Sequence, residues 1–330
     1  MTLDPAVAAT RLAVRTTLAD LEPGSVVLVA CSGGADSLAL LAATVFEGSS
    51  AAWYVIGATV DHGLQEGSAA HADQVVAQMS AIGAAETVTA TVHVEAGGLG
   101  PEAAARRARH AVLEEMAGRF GAAAVLLGHT RDDQAETVLL GLARGSGGRS
   151  ITGMRPAYDA VRRPFLGVTR AQTLQACAAQ GIEPWDDPHN HDDRFARVRV
   201  RERVLPVLER ELGPGVAAAL ARTGDLLRRD LDTLDDLADA LAGAATTADG
   251  IDLGVLADQP DALVSRVLRG AALAAGAPAA ELFAVHVDAL LELARGRLRG
   301  AGGGQVQLPG GVTAHRAADR LLFTATPVAP

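Results

Sequence analysis

The chain of 330 residues contains no lysine, and its 29 permanently basic side chains are all arginine. That absence excludes a Walker A loop, whose Gly-Lys-Ser/Thr core depends on an ammonium group. Any grip on phosphate must come from guanidinium forks, hydroxyls and backbone N–H groups. Cysteine is nearly absent too. Cys31 and Cys177 are the only two, and their separation excludes a Cys-x-x-Cys redox or metal site. Aromatic residues make up 3% of the chain, so its cores must be built from Ala, Val and Leu. No apolar run reaches membrane-spanning length without a breaker, so no membrane partner is expected. Met1 to Arg15 includes Asp4 and lacks the apolar stretch of a signal peptide. These absences together lead to the expectation of a soluble cytoplasmic protein.

What charge there is lies unevenly. The net charge of −10 divides into −9 over residues 1–143, +4 over 144–203 and −5 over 204–330. An Arg-rich segment therefore sits between two acidic ones. Binding to a phosphate backbone needs a local basic patch rather than a basic whole. A solvated, salt-bridged surface would account for the segment equally well.

The length suffices for two domains. Between Ser25 and Leu142, strand-like and helix-like patterns alternate. Strands are expected at 25–30, 54–60, 87–94 and 123–127, and helices from the turn at residue 34 to about Phe46, then at 68–82, 101–120 and 132–142. That order predicts an α/β fold, a Rossmann-like doubly wound parallel sheet with helices on both faces. Ligands of such sheets bind beyond the carboxyl ends of the strands. A short helix is expected at 169–181, and turns at Gly145 to Gly148 and Pro184. After Gly213-Pro214-Gly215 the pattern becomes helical, at 216–242, 263–275 and 282–298. It closes on three short strands at 305–308, 312–316 and 321–324, after a Gly-rich turn at 300–304. The expected domains are therefore 1–212 and a smaller, mostly helical 213–330 that ends in a small antiparallel sheet.

The most informative stretch is Val27 to Leu40, an apolar strand that enters Ser32-Gly33-Gly34-Ala35-Asp36-Ser37 and leaves as an apolar helix. Such a turn offers backbone N–H groups and a helix dipole to an anion. Gly33 and Gly34 can adopt positive φ and let a phosphate approach closely. Ser32 and Ser37 add hydroxyls, and Asp36 could hold a magnesium ion shared with the phosphates. Asp133 and Glu136 are three apart and share a helix face. They could bind a metal, grip an ammonium group, or simply complement the helix dipole as an acidic first turn. His129, at a strand end, could stabilise a developing negative charge or cap the turn. Arg106 and Arg109 lie one helical turn apart and are candidates to offset triphosphate charge. Arg197, Arg199 and Arg201 would share one face if that run is extended. Trp185 reads better as a packing anchor than as a stacking platform.

The Ser-Gly-Gly-x-Asp-Ser turn resembles the PP-loop of ATP pyrophosphatases, which split ATP into AMP and pyrophosphate. Five further stretches carry a narrower resemblance. They are Asp61-His62-Gly63-Leu64, Glu102 with Ala105 to Arg109, Gly128 to Leu140, Arg144 to Gly147 with Gly153-Met154, and Trp185 to Asn190 leading into Arg197, Arg201 and Leu205-Pro206. Together with the turn they resemble the tRNA(Ile)-lysidine synthase family, closely over about residues 25–206 and more loosely beyond. Thr130, His110, His189 and Val198 depart from the family's common His, Tyr, Ser and Asn, which weakens any role for a double His.

The resemblance implies a PP-loop catalytic domain and a C-terminal domain for tRNA recognition. It implies a carbon–nitrogen ligase that uses ATP and Mg2+ to join L-lysine to the wobble cytidine of tRNA(Ile) with a CAU anticodon, and a homodimer as the expected assembly. It assigns Ser32, Gly33, Gly34, Ala35, Asp36, Ser37, Asp61 and Arg106 to ATP, with Asp36 also on the metal. Asp133 and Glu136 go to lysine, Arg197 and Arg201 to tRNA, and Asp36, Arg109, His129 and Asp133 to catalysis. A PP-loop tRNA thiolase and a non-catalytic adenine-nucleotide module would share the turn. The thiolase would call for a cysteine pair or an iron–sulfur cluster, and the module would have no need of Asp133 and Glu136.

Overall fold

The computed structural model describes residues 3–61, 68–91, 101–145, 147–187, 190, 192–297 and 304–326, without the side chains of 101–107, 109 and 110. His62, Gly63, Leu64, Val92 to Val94, Ser146, Pro188, His189 and most of the 300–304 turn lie outside the described residues. So do the side chains of Glu102, Arg106, Arg107, Arg109 and His110. The chain forms two compact units, Met1–Leu226 and Leu227–Pro330.

The first unit is built on strand β1 (Val26–Ala30), whose Val27, Leu28 and Val29 are fully buried. A strand buried on both faces reads as a continuous apolar run, as parallel sheets require. β1 pairs in parallel with β2 (Tyr54–Asp61) on one side and β4 (Ala124–Leu126) on the other, and β3 (Glu86–Thr91) extends the sheet beyond β2. A small antiparallel hairpin, β5 (Ala157–Tyr158) and β6 (Val161–Arg162), adds to β4 and gives the order β3-β2-β1-β4-β6-β5. Two apolar clusters form on the sheet. One centres on Val27, Val29, Leu38 and Leu41, the other on Leu28, Ala58, Val125 and Leu113. Alternate residues of β1 thus feed opposite clusters, which is the doubly wound arrangement expected from the alternating pattern.

The helices of this unit are α1 (Pro5–Thr17), α2 (Ala35–Ala51), α3 (Ser68–Ile82), α4 (Pro101–Phe120), α5 (Arg131–Arg144), α6 (Gly148–Ile151) and α7 (Arg170–Ala179). α2 runs past the expected end at Phe46. Gly48 reads as a breaker in sequence, yet a Cβ there would stand 2.9 Å from Val55 Cγ2 on β2. The glycine thus lets the helix lie close to the strand. α1 was not anticipated. It is capped by Asp4 and joined to α2 by Arg15, whose Nε lies 2.8 Å from Glu47 Oε2.

The largest correction concerns the arginine run. Residues 196–212 are helical, not extended, as α8 (Ala196–Arg199), a π-helical turn (Val200–Val204) and α9 (Leu205–Leu212). The wider turn precedes Pro206, whose ring has no N–H to serve the carbonyl of Glu202. Leu205 N donates instead to Val200 O. Arg197 and Arg201 are four residues apart, so the helix puts them on one face, while Val198 and Val200 are buried.

α10 (Val216–Ala245) continues from the first unit into the second. The second unit adds α11 (Leu253–Leu256), α12 (Asp261–Ala274) and α13 (Ala284–Ala294) around a core of Leu253, Leu268, Leu290, Ala314 and Leu321. Its sheet has five strands in the order β7-β8-β11-β10-β9. β9 (Gln305–Leu308), β10 (Val312–Ala317) and β11 (Arg320–Ala325) are the strands expected from the sequence. The short hairpin β7 (Thr246–Thr247) and β8 (Gly250–Asp252) joins the edge of β11, too short to carry a period-2 signal of its own.

α5 carries the acidic pair, so its seating decides the site. A Cβ at Gly141 would stand 1.9 Å from the Ser150 carbonyl oxygen. Gly141→Ala is therefore expected to destabilise the protein by about 1–3 kcal/mol through overpacking, read as a lower urea midpoint by far-UV circular dichroism. An unchanged midpoint would mean that the backbone around Ser150 moves freely.

Candidate active site

The turn after β1 is held by its own serines. Ser32 N donates to Ser37 Oγ at 3.1 Å, and Ser37 Oγ donates to the Gly34 carbonyl at 2.9 Å. Gly33 has φ +82°, and a Cβ there would stand 2.8 Å from Val75 Cγ2 and 3.0 Å from His71 Cε1. Conformation and crowding both require glycine. Gly34 is the N-cap of α2 and offers no side chain to its first turn, so no cap side chain occupies the donors that an anion would use. Two further clamps hold the turn: His71 Nε2 lies 3.2 Å from the Ser32 carbonyl, and Trp185 N donates to the Gly33 carbonyl at 2.9 Å. The His71 and Trp185 rings are 3.8 Å apart. Trp185 therefore anchors the loop, as its packing role implied.

β4 ends beside this turn. A Cβ at Gly128 would stand 3.0 Å from the Asp36 carbonyl carbon, so glycine lets the two elements touch. His129 follows, and Arg163 Nε donates to its Nδ1 at 3.2 Å. That bond orients the ring, with Nε2 as its second polar atom. Asp61 closes β2, at the same carboxyl edge of the parallel sheet.

Thr130, the N-cap of α5, is tied to Asp133: its N and its Oγ1 both donate to Asp133 Oδ2 at 2.8 Å. The other oxygen of Asp133 faces Arg170 Nη2 at 3.1 Å. Burial opposes the charged form of Asp133, but Arg170 and the two Thr130 bonds outweigh it and hold its pKa below the ordinary value. Glu136, fully buried, is met by three guanidinium groups. Arg201 grips it in two places, Nε at 2.7 Å and Nη2 at 3.2 Å, Arg170 Nη1 lies at 3.5 Å and Arg197 Nε at 3.5 Å. Arg197 also donates to Thr137 Oγ1 at 2.9 Å. The two arginines singled out for tRNA thus pack against the acids singled out for lysine.

Asp36 joins the same cluster. Its Oδ1 accepts from the Thr173 hydroxyl, and its Oδ2 lies 3.8 Å from Arg170 Nε. Its pKa is pushed up to about 6 by burial, drawn back by Thr173 and Arg170, and pushed up again by Asp133 and Asp132. A half-buried carboxylate next to a turn of phosphate donors is a ligand of the kind Mg2+ uses when it shares its shell with phosphate. Among the described residues no group of three His, Cys, Asp or Glu forms a protein-built metal cage. The carboxylate that the turn itself offers to an ion shared with phosphate is Asp36.

Sequence reasoning missed Arg170, Thr173, Arg163 and His71. Arg170 opens α7 behind a Thr169–Gln172 capping box, so it reads as an ordinary first-turn residue. Its place in the Arg-rich segment and the one-turn spacing to Thr173 were the available signals. Burial pushes both the Cys31 and the Cys177 thiol up to about 12, so neither is a ready thiolate.

The raised pKa of Asp36 implies a stability cost. The unfolded chain ionises this carboxyl near 3.8 and the folded one near 6, so stability falls as pH rises through that window. Asp36→Asn is expected to be more stable than the parent at pH 8, by on the order of 2–3 kcal/mol, with the difference vanishing towards pH 4. Denaturant titrations at the two pH values test this, and a difference independent of pH would refute it.

A family model described as the PP-loop domain matches residues 9–208, and one described as the TilS substrate binding domain matches residues 251–322. The tRNA(Ile)-lysidine synthase of Thermobifida fusca is 51% identical over 324 residues, covering 97% of this chain and 98% of that protein. The tRNA(Ile)-lysidine synthase of Streptomyces coelicolor is 47% identical over 349 residues, with 97% and 98% covered. Among solved structures, the U34-tRNA thiolase NcsA from Methanococcus maripaludis with its [4Fe-4S] cluster superposes with a TM-score of 0.56. It covers 68% of this chain and 80% of that one at 18% identity, a likeness of fold alone. No described helix is long and apolar enough to cross a membrane. With a matching model over more than half its length and relatives of near-equal length at about half identity, the chain belongs to the tRNA(Ile)-lysidine synthase family.

Proposed function

We propose that this protein ligates L-lysine to C2 of the wobble cytidine in tRNA(Ile) with a CAU anticodon, at the expense of ATP. The observation that carries the reading is the meeting of the PP-loop acid Asp36 with the acid pair Asp133 and Glu136 through one arginine, Arg170. A nucleotide site alone has no use for a buried acid pair beside it. In the first step the cytidine O2 attacks the α-phosphate and pyrophosphate leaves. In the second the lysine ε-amine attacks C2 and AMP leaves.

Within this reading the turn from Ser32 to Ser37 holds the departing pyrophosphate on backbone N–H groups, and Asp61 and Arg106 complete the nucleotide site. Asp36 would hold Mg2+, which when bound neutralises phosphate charge. His129 offers its Nε2 proton to developing negative charge, and Arg109 is a second candidate for that task. Asp133 and Glu136 orient the lysine ammonium, and Arg197 and Arg201 set the charge of that pocket on the tRNA side. Residues 1–212 are taken as the catalytic domain and 213–330 as the tRNA-recognising domain, in a homodimer. The cytidine must be splayed out of the anticodon stack to react, as single-stranded RNA readers require.

Incubation with ATP, Mg2+, radiolabelled lysine and the CAU transcript is expected to label the RNA, and an active preparation that fails to do so overturns the reading. Asp36→Ala is expected to abolish pyrophosphate release. Asp133→Asn is expected to retain pyrophosphate release but to raise the KM for lysine at least about tenfold, the size of losing one charge-assisted contact. Equal loss in both steps would count against a lysine-binding role for Asp133.

A further inference from the structure

The acid pair is crowded with donors. Asp133 Oδ2 takes both bonds from Thr130, and Asp133 Oδ1 faces Arg170 at 3.1 Å and Arg201 at 3.8 Å. Glu136 Oε1 faces Arg201 at 2.7 Å and Arg170 at 3.5 Å, and Glu136 Oε2 faces Arg201 at 3.2 Å and Arg197 at 3.5 Å. All four carboxylate oxygens of the pair already have donors, and Arg170 faces Asp36 as well. An ammonium brings a further charge and three further donors. A guanidinium that withdraws from the pair would leave it an oxygen and a place for its charge.

The three arginines differ in what else they can reach. Arg201 is bidentate on Glu136. Arg197 is fixed to Thr137. Arg170 meets each acid of the pair once, Asp133 at 3.1 Å and Glu136 at 3.5 Å, and it alone also reaches towards the phosphate turn, its Nε lying 3.8 Å from Asp36, two residues after Gly34. A triphosphate held on that turn offers Arg170 a stronger anionic partner than the acids it now spans, since guanidinium and phosphate pair bidentately. We infer that Arg170 is a positioning residue that couples the two substrate sites: nucleotide binding draws its guanidinium towards the PP-loop and so opens Asp133 and Glu136 to the ammonium of lysine. Coupling between sites is reciprocal, so lysine must tighten nucleotide binding by the same factor.

This inference rests on the lysine-binding reading of the acid pair, and calorimetry on the full chain separates the two. Lysine is titrated into the protein with and without Mg2+ and the α,β-methylene analogue of ATP, which resists cleavage at the bond in question. The expected result is lysine binding tightened by the analogue, on the order of 5- to 150-fold. In Arg170→Gln the tightening is expected to collapse towards unity, with lysine binding to the analogue-free protein at least as tightly as in the parent. Arg170→Lys keeps a charge without the fork, so its ratio should fall severalfold, which keeps the test alive if the glutamine variant does not fold. A parent protein whose lysine affinity ignores the analogue overturns the coupling, as does a folded Arg170 variant that keeps the full ratio. Should Glu136→Gln and Asp133→Asn leave lysine binding unchanged, the reading of the acid pair itself falls. Should they weaken it while Arg170→Gln preserves the ratio, only the coupling falls.

Discussion

The structure around the PP-loop depends on one constraint: carboxylates withdrawn from water must be met by guanidinium groups. Glu136 is fully buried on α5, Asp133 is nearly so, and Asp36 is half-buried. Taking a carboxylate out of water costs several kcal/mol unless donors replace the solvent. Here the donors come from distant parts of the chain, Arg170 from the start of α7 and Arg197 and Arg201 from the helical segment at 196–204. The acids thereby fix where those elements pack. The segment's excess of positive charge is largely an internal counterweight to α5, and only what remains exposed is available to an RNA backbone.

Much of the sheet was legible in the sequence because its signal is periodic and local. β1, α3, α4 and the three C-terminal strands lie where apolar patterns place them, within a residue or two. The PP-loop was legible because glycines and hydroxyls in that order have few uses. The failures have a common cause. Gly48 is a helix breaker by propensity, but here packing against Val55 decides. The run from Arg197 to Arg201 alternates charged and apolar side chains, which is a strand pattern, and the pull of Glu136 on two arginines four apart imposes a helix instead. In both places a tertiary contact overrides the local preference.

Arg170 was invisible for a different reason. Its identity matters only through three partners that lie 34 to 134 positions away along the chain, and nothing near it marks the site. Asp36, Asp133 and Glu136 could each be picked out from a motif, but not the group that joins them. A site composed of short motifs from separate strand ends discloses its parts in sequence and its wiring only in three dimensions.

The irregular features gather at this one edge of the sheet. They include a glycine at φ +82°, a buried carboxyl with its pKa raised to about 6, a π-helical turn and an acid pair ringed by three arginines. Each departs from what stability alone would select, and the regular sheet and helices around them supply the rigidity that tolerates it. A bridge such as Arg170 suits that setting. Its fork spans two anionic centres without belonging wholly to either, so a change of charge at one is felt at the other through a single side chain. A lysine in its place would be a point charge that serves one centre at a time. The use of arginine throughout the chain therefore has a local consequence at this position, whatever its origin elsewhere: the phosphate turn and the acid pair answer to the same guanidinium group.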